Sequence, residues 1–267
     1  MTTILQLISL QGRSALVTGA GGNLGRVIAD TLAELGADLV LVDHPNRDLS
    51  ALCDGLTRQW GCKVEPISCD LGIDEHRKIL ISKLIKKNNK INILINNAAF
   101  IGDSHLKGWS VEYKDQTVET WRQVLELNTT AIFELCQGLY PLMVTAMGAN
   151  IINIASIYGF LGPNWSLYEG TKMANPAAYG VSKAGILQLT RWIATTCAPS
   201  IRANALSPGG IFREQPEAFV KRYEARTPMK RMAKEDDFKG AITFLSTDMS
   251  SYLTGQNVIV DGGFGVW

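Results

Sequence analysis

Apolar residues fall in short consecutive runs separated by longer stretches of helical period. The runs are Ala15–Val17, Leu39–Val42, Lys63–Ile67, Ile91–Ile95, Ile151–Ala155, Ile201–Leu206 and Val258–Val260. They are rich in valine and isoleucine, and most are apolar at consecutive rather than alternate positions. A strand of that kind is covered on both faces, as in a parallel sheet between two helical layers. Helix-like segments lie between the runs, near 24–35, 48–60, 74–89, 117–147, 177–197 and 235–247. The alternation predicts an α/β fold: a doubly wound parallel sheet of about seven strands flanked by helices. Right-handed crossovers then place ligands at the carboxyl ends of the strands.

No repeat, low-complexity tract or linker interrupts the 267 residues, so one domain over 1–267 is expected. Two stretches are less regular, 100–116 and 207–234. Loops of that size often bind substrate, and 207–234 is read as the substrate-binding loop region.

Composition narrows the partners. Hydrophobic residues make up 46% and charged residues 19%, enough apolar material for one substantial core. A net charge of +1 gives no reason to expect nucleic acid or an anionic membrane. Cys53, Cys62, Cys69, Cys136 and Cys197 are odd in number and show no C-x-x-C spacing, which argues against a disulfide framework or a metal site. The first residues lack a basic leader, and no apolar run reaches the ~18 residues needed to span a bilayer. A cytoplasmic protein is expected.

The first run ends in Thr18-Gly19-Ala20-Gly21-Gly22-Asn23-Leu24-Gly25, and a helical pattern follows at once. Glycines permit a tight turn and close approach to a pyrophosphate, and the helix start offers free N–H groups. Between a strand and a helix, the loop reads as a dinucleotide site. The second run ends in Asp43, 24 residues after Gly19. A carboxylate there accepts from ribose hydroxyls and repels a 2′-phosphate, which favours NAD over NADP. Arg47 nearby keeps NADP open.

The fifth run ends in Ser156, and Tyr179-Gly180-Val181-Ser182-Lys183 opens a long helical segment. Tyrosine and lysine at i and i+4 share one helix face. A phenol ionises near pH 10, and a neighbouring ammonium is expected to lower that. With a serine hydroxyl on the reacting oxygen, these groups suit proton transfer beside hydride transfer. Tyr168 and Lys172 have the same spacing, but Asn175-Pro176 follows too soon for a helix there. Tyr179 instead follows Pro176, read as an early helical residue.

These motifs resemble those of the short-chain dehydrogenase/reductase family over essentially the whole chain, which implies a Rossmann-type sheet. Thr18-Gly19-x-x-x-Asn23-x-Gly25 is similar to the family's glycine loop, Asp70-Leu71 to the segment beside the adenine, and Asn96-Asn97-Ala98-Ala99 to the segment after the fourth strand. Ser207-Pro208-Gly209 resembles the turn beside the nicotinamide, with Ile211 in the same cofactor set, and Val260-Asp261-Gly262-Gly263 the closing strand and turn. The resemblance implies Tyr179 as acid/base and Lys183 as its support and the ribose ligand. Ser156 would polarise the substrate oxygen, and Asn128 would order a proton-relay water. It also implies a homotetramer through the helices near 117–147 and 177–197.

Three departures stand out. Asn23 replaces the middle glycine, as a residue that tolerates left-handed backbone and caps helices well. Arg213 stands where many members carry a threonine on the nicotinamide amide. The serine–tyrosine separation is about ten residues longer than the family norm, with an insertion around 163–176.

Substrate identity is less legible. The stretch 211–234 carries Arg213, Lys221, Arg222, Arg226, Lys230, Arg231 and Lys234. They read either as a clamp for an anionic sugar derivative or as a solvated helix face. Trp165, Tyr168, Phe212 and Trp267 read as sugar-stacking or packing aromatics. The overall pattern is similar to sugar-acting members, including gluconate 5-dehydrogenase-like enzymes. An NADP-dependent keto-acyl reductase and a catalytically silent nucleotide-binding module are the alternatives.

Overall fold

The computed structural model describes residues 1–88, 90–100 and 106–267. Seven parallel strands form one sheet: β1 (Ser14–Thr18), β2 (Asp38–Asp43), β3 (Val64–Ser68), β4 (Ile93–Asn96), β5 (Ala149–Ile154), β6 (Ile201–Pro208) and β7 (Asn257–Val260). Their spatial order is β3-β2-β1-β4-β5-β6-β7. The chain winds one way from β1 to β3 and then the other way from β4 to β7, so the topology switches between β1 and β4, where a crevice opens at the carboxyl ends. Each of the seven apolar runs is a strand, with limits shifted by at most two residues. Every residue of β4 and β5 is buried, as consecutive apolar patterning requires. Pro66 lies in the terminal strand β3, beside Leu41 of β2, where a missing N–H is tolerated.

Helices α2 (Asn23–Glu34), α3 (Ser50–Trp60) and α9 (Lys239–Ser246) contribute to one core with Ala15, Val17, Ile93 and Ile95. Helices α4 (Asp74–Lys87), α6 (Ala131–Met143) and α7 (Ala177–Cys197) contribute to the other with Leu16, Leu94 and Ile151. Successive residues of one strand thus enter opposite cores. A short α1 (Ile4–Ile8) precedes the sheet, and α8 (Glu217–Arg226) lies within the 207–234 stretch.

Several boundaries differ from the sequence reading. The segment 117–147 is not one helix. It comprises α5 (Val118–Leu125), a π turn (Glu126–Thr130) and α6. Arg77 of α4, almost wholly buried, reaches Glu126 of the π turn, Glu134 of α6 and the Leu71 carbonyl, tying these elements together. Gly22, not Asn23, caps α2, and Pro176 is an extended cap rather than the first helical residue of α7. Asn89 and residues 101–105 of the irregular stretch fall outside the described residues. No helix among the described residues is long and apolar enough to cross a membrane.

Candidate active site

The glycine loop is shaped by backbone crowding. Gly19 has φ +63°, and a Cβ there would lie 2.8 Å from Ala98 Cα. A Cβ on Gly25 would lie 2.0 Å from the Gly19 carbonyl oxygen, so no side chain fits where α2 enters the loop. No side chain caps α2, which leaves its first N–H groups free for an anion. Thr18 Oγ1 accepts from Asn97 N and Ala98 N at 3.0 Å, and Asn97 Nδ2 donates to the carbonyls of Thr18 and Gly19 at 3.0 Å. The β4 end thus braces the loop.

A cleft of about 580 Å³ runs along the carboxyl ends of the strands. Gly19, Asn23, Leu24, Gly25, Asp43, Asp70, Leu71, Asn97 and Ala98 line it, as do Pro208, Gly209 and Ile211. Ser156, Tyr179 and Lys183 line it too. Of the residues read from sequence as catalytic or cofactor-binding, all but Asn128 therefore meet in one place. An uncapped helix start, a glycine cradle and a carboxylate beyond it fit the pyrophosphate and ribose of a nicotinamide dinucleotide.

At the far end of this half, Asp43 takes a backbone N–H on each oxygen, from Gly21 and from His44, both at 2.7 Å. Each oxygen keeps a lone pair for a ribose hydroxyl. His44 and Arg47 also line the cleft there, and His44 Nε2 lies 3.4 Å from Asp70 Oδ2.

In the other half, Ser156 caps a 3₁₀ turn (Ile157–Gly159) by accepting from Tyr158 N. Tyr179 and Lys183 are one turn apart on α7. The Lys183 ammonium sits 5.8 Å from the Tyr179 ring centroid and donates to the Ile154 carbonyl at 2.9 Å. The expected lowering of the phenol pKa is not found. Burial raises it, against the Ser156 hydroxyl and the charge of Arg213. Burial also pushes Lys183 down, to about 8, because no carboxylate compensates its charge.

Asn128 is the exception to the cleft. It is fully buried in the π turn. Its Oδ1 accepts from Phe100 N at 2.6 Å, and its Nδ2 donates to Ser182 Oγ at 3.0 Å. Ser182 in turn donates to the Tyr179 carbonyl at 2.8 Å, so Asn128 braces the backbone that carries the phenol.

Tyr168, the competing tyrosine, ends a single 3₁₀ turn (Trp165–Leu167). Its hydroxyl pairs with Tyr158 at 2.7 Å, and burial drives its pKa far above the ordinary phenol range. It lines the cleft and also packs, against Trp165 and Phe219. The other proposed stacking aromatics do not line the cleft: Phe212 is exposed, and Trp267 bonds to Arg226. Of the seven basic residues in 211–234, only Arg213 lines the cleft, and it also pairs with Glu235 at 3.3 Å. Lys221 pairs with Glu217 and Arg231 with Asp237, while Arg222, Arg226 and Lys230 donate to carbonyls.

Several lining residues carried no sequence signal. Tyr158, Met173, Phe219, Tyr223 and Met232 complete the substrate half. Tyr223 OH accepts from Gly210 N at 2.6 Å, and its ring stacks on Phe264 at 4.5 Å. Their convergence depends on α8 folding over the cleft, which periodicity did not reveal.

Comparison with known proteins agrees with this arrangement. A family model described as "Enoyl-(Acyl carrier protein) reductase" matches residues 19–265. A "Probable galactose dehydrogenase" of Rhizobium meliloti (strain 1021) is 32% identical over 265 residues, covering 97% of each chain. A 3-oxoacyl-[acyl-carrier-protein] reductase of Thermotoga maritima is 30% identical, covering 95% of this chain and 98% of its own. A crystal structure of a gluconate 5-dehydrogenase from Burkholderia cenocepacia J2315, in complex with NADP and tartrate, superposes with a TM-score of 0.84 at 26% identity, covering 99% of this chain and 100% of that one. With this fold and these relatives along its whole length, the chain belongs to the short-chain dehydrogenase/reductase family, the oxidoreductases that act on alcohol and ketone groups.

Proposed function

We propose that this protein is an NAD-dependent dehydrogenase of a sugar, sugar acid or sugar phosphate, working as one catalytic domain over 1–267. The observation that carries the reading is the meeting of Ser156, Tyr179 and Lys183 in the cleft that also holds the glycine loop and Asp43. A nicotinamide bound there supplies or takes the hydride. Gly19, Asn23, Leu24 and Gly25 hold the pyrophosphate, Asp43 the ribose, and Asp70 and Leu71 the adenine. Asn97, Ala98, Pro208, Gly209 and Ile211 flank the nicotinamide half. Tyr179 gives or takes the hydroxyl proton, Ser156 holds the substrate oxygen, and Lys183 binds the nicotinamide ribose and steadies the phenol's charge. Asn128 positions the relay behind them.

Asp43 supports NAD, because its charge opposes a 2′-phosphate. The second reading, an NADP-dependent keto-acyl reductase, is favoured by His44 and Arg47 flanking that carboxylate. The sugar reading draws on relatives named for galactose and gluconate. With Arg213 the one basic residue of 211–234 in the cleft, at most one anionic group is served from that stretch. A screen of polyols, sugar acids, sugar phosphates and acyl ketones with both cofactors tests the reading. Turnover confined to acyl ketones with NADPH would overturn it.

We further infer a homotetramer built on α5, α6 and α7. Phe133 and Tyr140 on α6 and Val181 and Trp192 on α7 expose large apolar surface in the lone chain. Sedimentation showing only monomer refutes this. Cytoplasmic placement is inferred from five thiols, none in a disulfide.

A further inference from the structure

The substrate half of the cleft is mostly apolar, with Ile157, Met173, Phe219 and Met232 in its walls. Among the polar groups that interrupt them, two phenol hydroxyls stand together. Tyr158 comes from the turn that follows Ser156, and Tyr168 from the insertion 163–176; both line the cleft. Their oxygens are 2.7 Å apart. One hydroxyl proton is spent on that bond, and the other has no acceptor among the described residues.

An amide lies beside them. Asn175, at the end of the insertion, is 8% exposed. It acts on both phenols as a hydrogen-bonding neighbour, so it backs the pair rather than adding a separate donor. Nearby, Gln215 accepts from Arg213 N and donates to the Ile211 carbonyl, Arg213 pairs through Nε with Glu235, and Tyr223 OH accepts from Gly210 N. The cluster therefore holds a spare hydroxyl donor and no charge of its own, within an apolar wall where an unmet donor is costly. Its natural complement is an oxygen acceptor. Packing fixes the cluster: Tyr168 lies between Trp165 and Phe219, so its hydroxyl cannot turn away without disturbing α8.

We propose that the Tyr158–Tyr168 hydroxyl pair, backed by the Asn175 amide, is a specificity subsite that binds a second oxygen of the substrate, on the same molecule as the reacting carbon. The occupant is a hydroxyl or a carboxylate oxygen. This rests on the dehydrogenase reading and deepens it, for it selects polyhydroxylated substrates over simple alcohols.

The test compares the full-length protein with Tyr168→Phe and Tyr158→Phe, which keep the rings. Steady-state kinetics are measured on three substrates: a neutral polyol, the matching sugar acid, and a monohydric secondary alcohol of equal length. Each phenylalanine is expected to lower kcat/KM for the oxygen-rich substrate, relative to the monohydric one, by about tenfold, chiefly through KM. The cofactor KM and the melting temperature serve as controls for a structural effect. Loss on the polyol assigns a hydroxyl occupant, and loss confined to the sugar acid a carboxylate. Equal loss on all three substrates, or no change in the ratio, overturns the subsite. A wild-type protein inactive on polyols, sugar acids and sugar phosphates alike with either cofactor overturns the dehydrogenase reading itself, a different result from an active enzyme with an unchanged ratio.

Discussion

Lys183 holds its ammonium 5.8 Å from the centroid of the Tyr179 ring while donating to the Ile154 carbonyl at the end of β5. The lysine is thus anchored to the sheet, and the phenol above it stands in the cleft. Both ionised forms are penalised by burial, which raises the tyrosine and lowers the lysine. Without cofactor, the pair favours a protonated phenol, the form that donates to a carbonyl oxygen.

Tyr179→Phe is expected to lower kcat by about a thousandfold, within the range for loss of a general acid/base, and to leave NAD(H) affinity within about twofold. Stopped-assay kinetics and cofactor fluorescence titration check the two halves. Full turnover by the variant would shift attention to another proton donor in the cleft.

The buried lysine makes stability depend on pH in a definite direction. An unfolded lysine keeps its proton to 10.5, whereas Lys183 in the fold releases it near 8. Between those values the unfolded chain binds more protons, so stability of the cofactor-free protein rises with pH, by up to about 1.4 kcal/mol per unit. Buried thiols close the window from above. An unfolded cysteine ionises near 9.0, whereas burial holds Cys69 up at about 11 and Cys136 at about 12, so above pH 9 the fold retains protons that the unfolded chain releases and the gain is offset. Urea unfolding between about pH 8 and pH 9 should show the rise, and Lys183→Met should flatten it.

Asp43→Ala removes the charge that opposes a 2′-phosphate and leaves His44 and Arg47 in place. The ratio of kcat/KM for NAD to that for NADP should fall by about tenfold or more. An unchanged ratio means that discrimination lies elsewhere along the cleft.

Gly25→Ala places a methyl 2.0 Å from the Gly19 carbonyl oxygen. Backbone cannot yield there as a flexible side chain can, so the loop must open. Cofactor affinity should fall by more than about tenfold, with smaller effects at Gly55, where a Cβ meets open space.

Arg77→Met strips two partly exposed carboxylates, Glu126 and Glu134, of their buried partner. A loss of about 2–4 kcal/mol is expected, somewhat under the full figure for a broken buried pair because the acids reach solvent. Denaturant unfolding measures it.

Much of the fold was legible because parallel strands leave a strong trace: Ile93–Asn96 and Ala149–Ile154 are buried throughout and apolar for most of their length. The π turn around Asn128 left none, since one extra residue in a helix hardly alters its apolar period. Helix α8 was hidden by its charges, for only Phe219 and Tyr223 of its residues are buried. In the site, Tyr179 could be told from Tyr168 by a proline alone. The partnership of Tyr158 with Tyr168 could not be read, because it depends on how the insertion folds back. The phenol's raised pKa was misjudged for a related reason: spacing reveals a neighbouring ammonium but not the desolvation of both groups.

The hydrogen bond from Gly210 N to Tyr223 OH joins the turn after β6 to the helix that roofs the cleft. Parting α8 from that turn would exchange this bond for one to water, at a net cost of about 0.5–1.5 kcal/mol, and would separate Tyr223 from Phe264. One phenol therefore couples three stretches far apart in sequence, the turn after β6, α8 and the segment around Phe264, so that this wall of the cleft stands or falls as a unit.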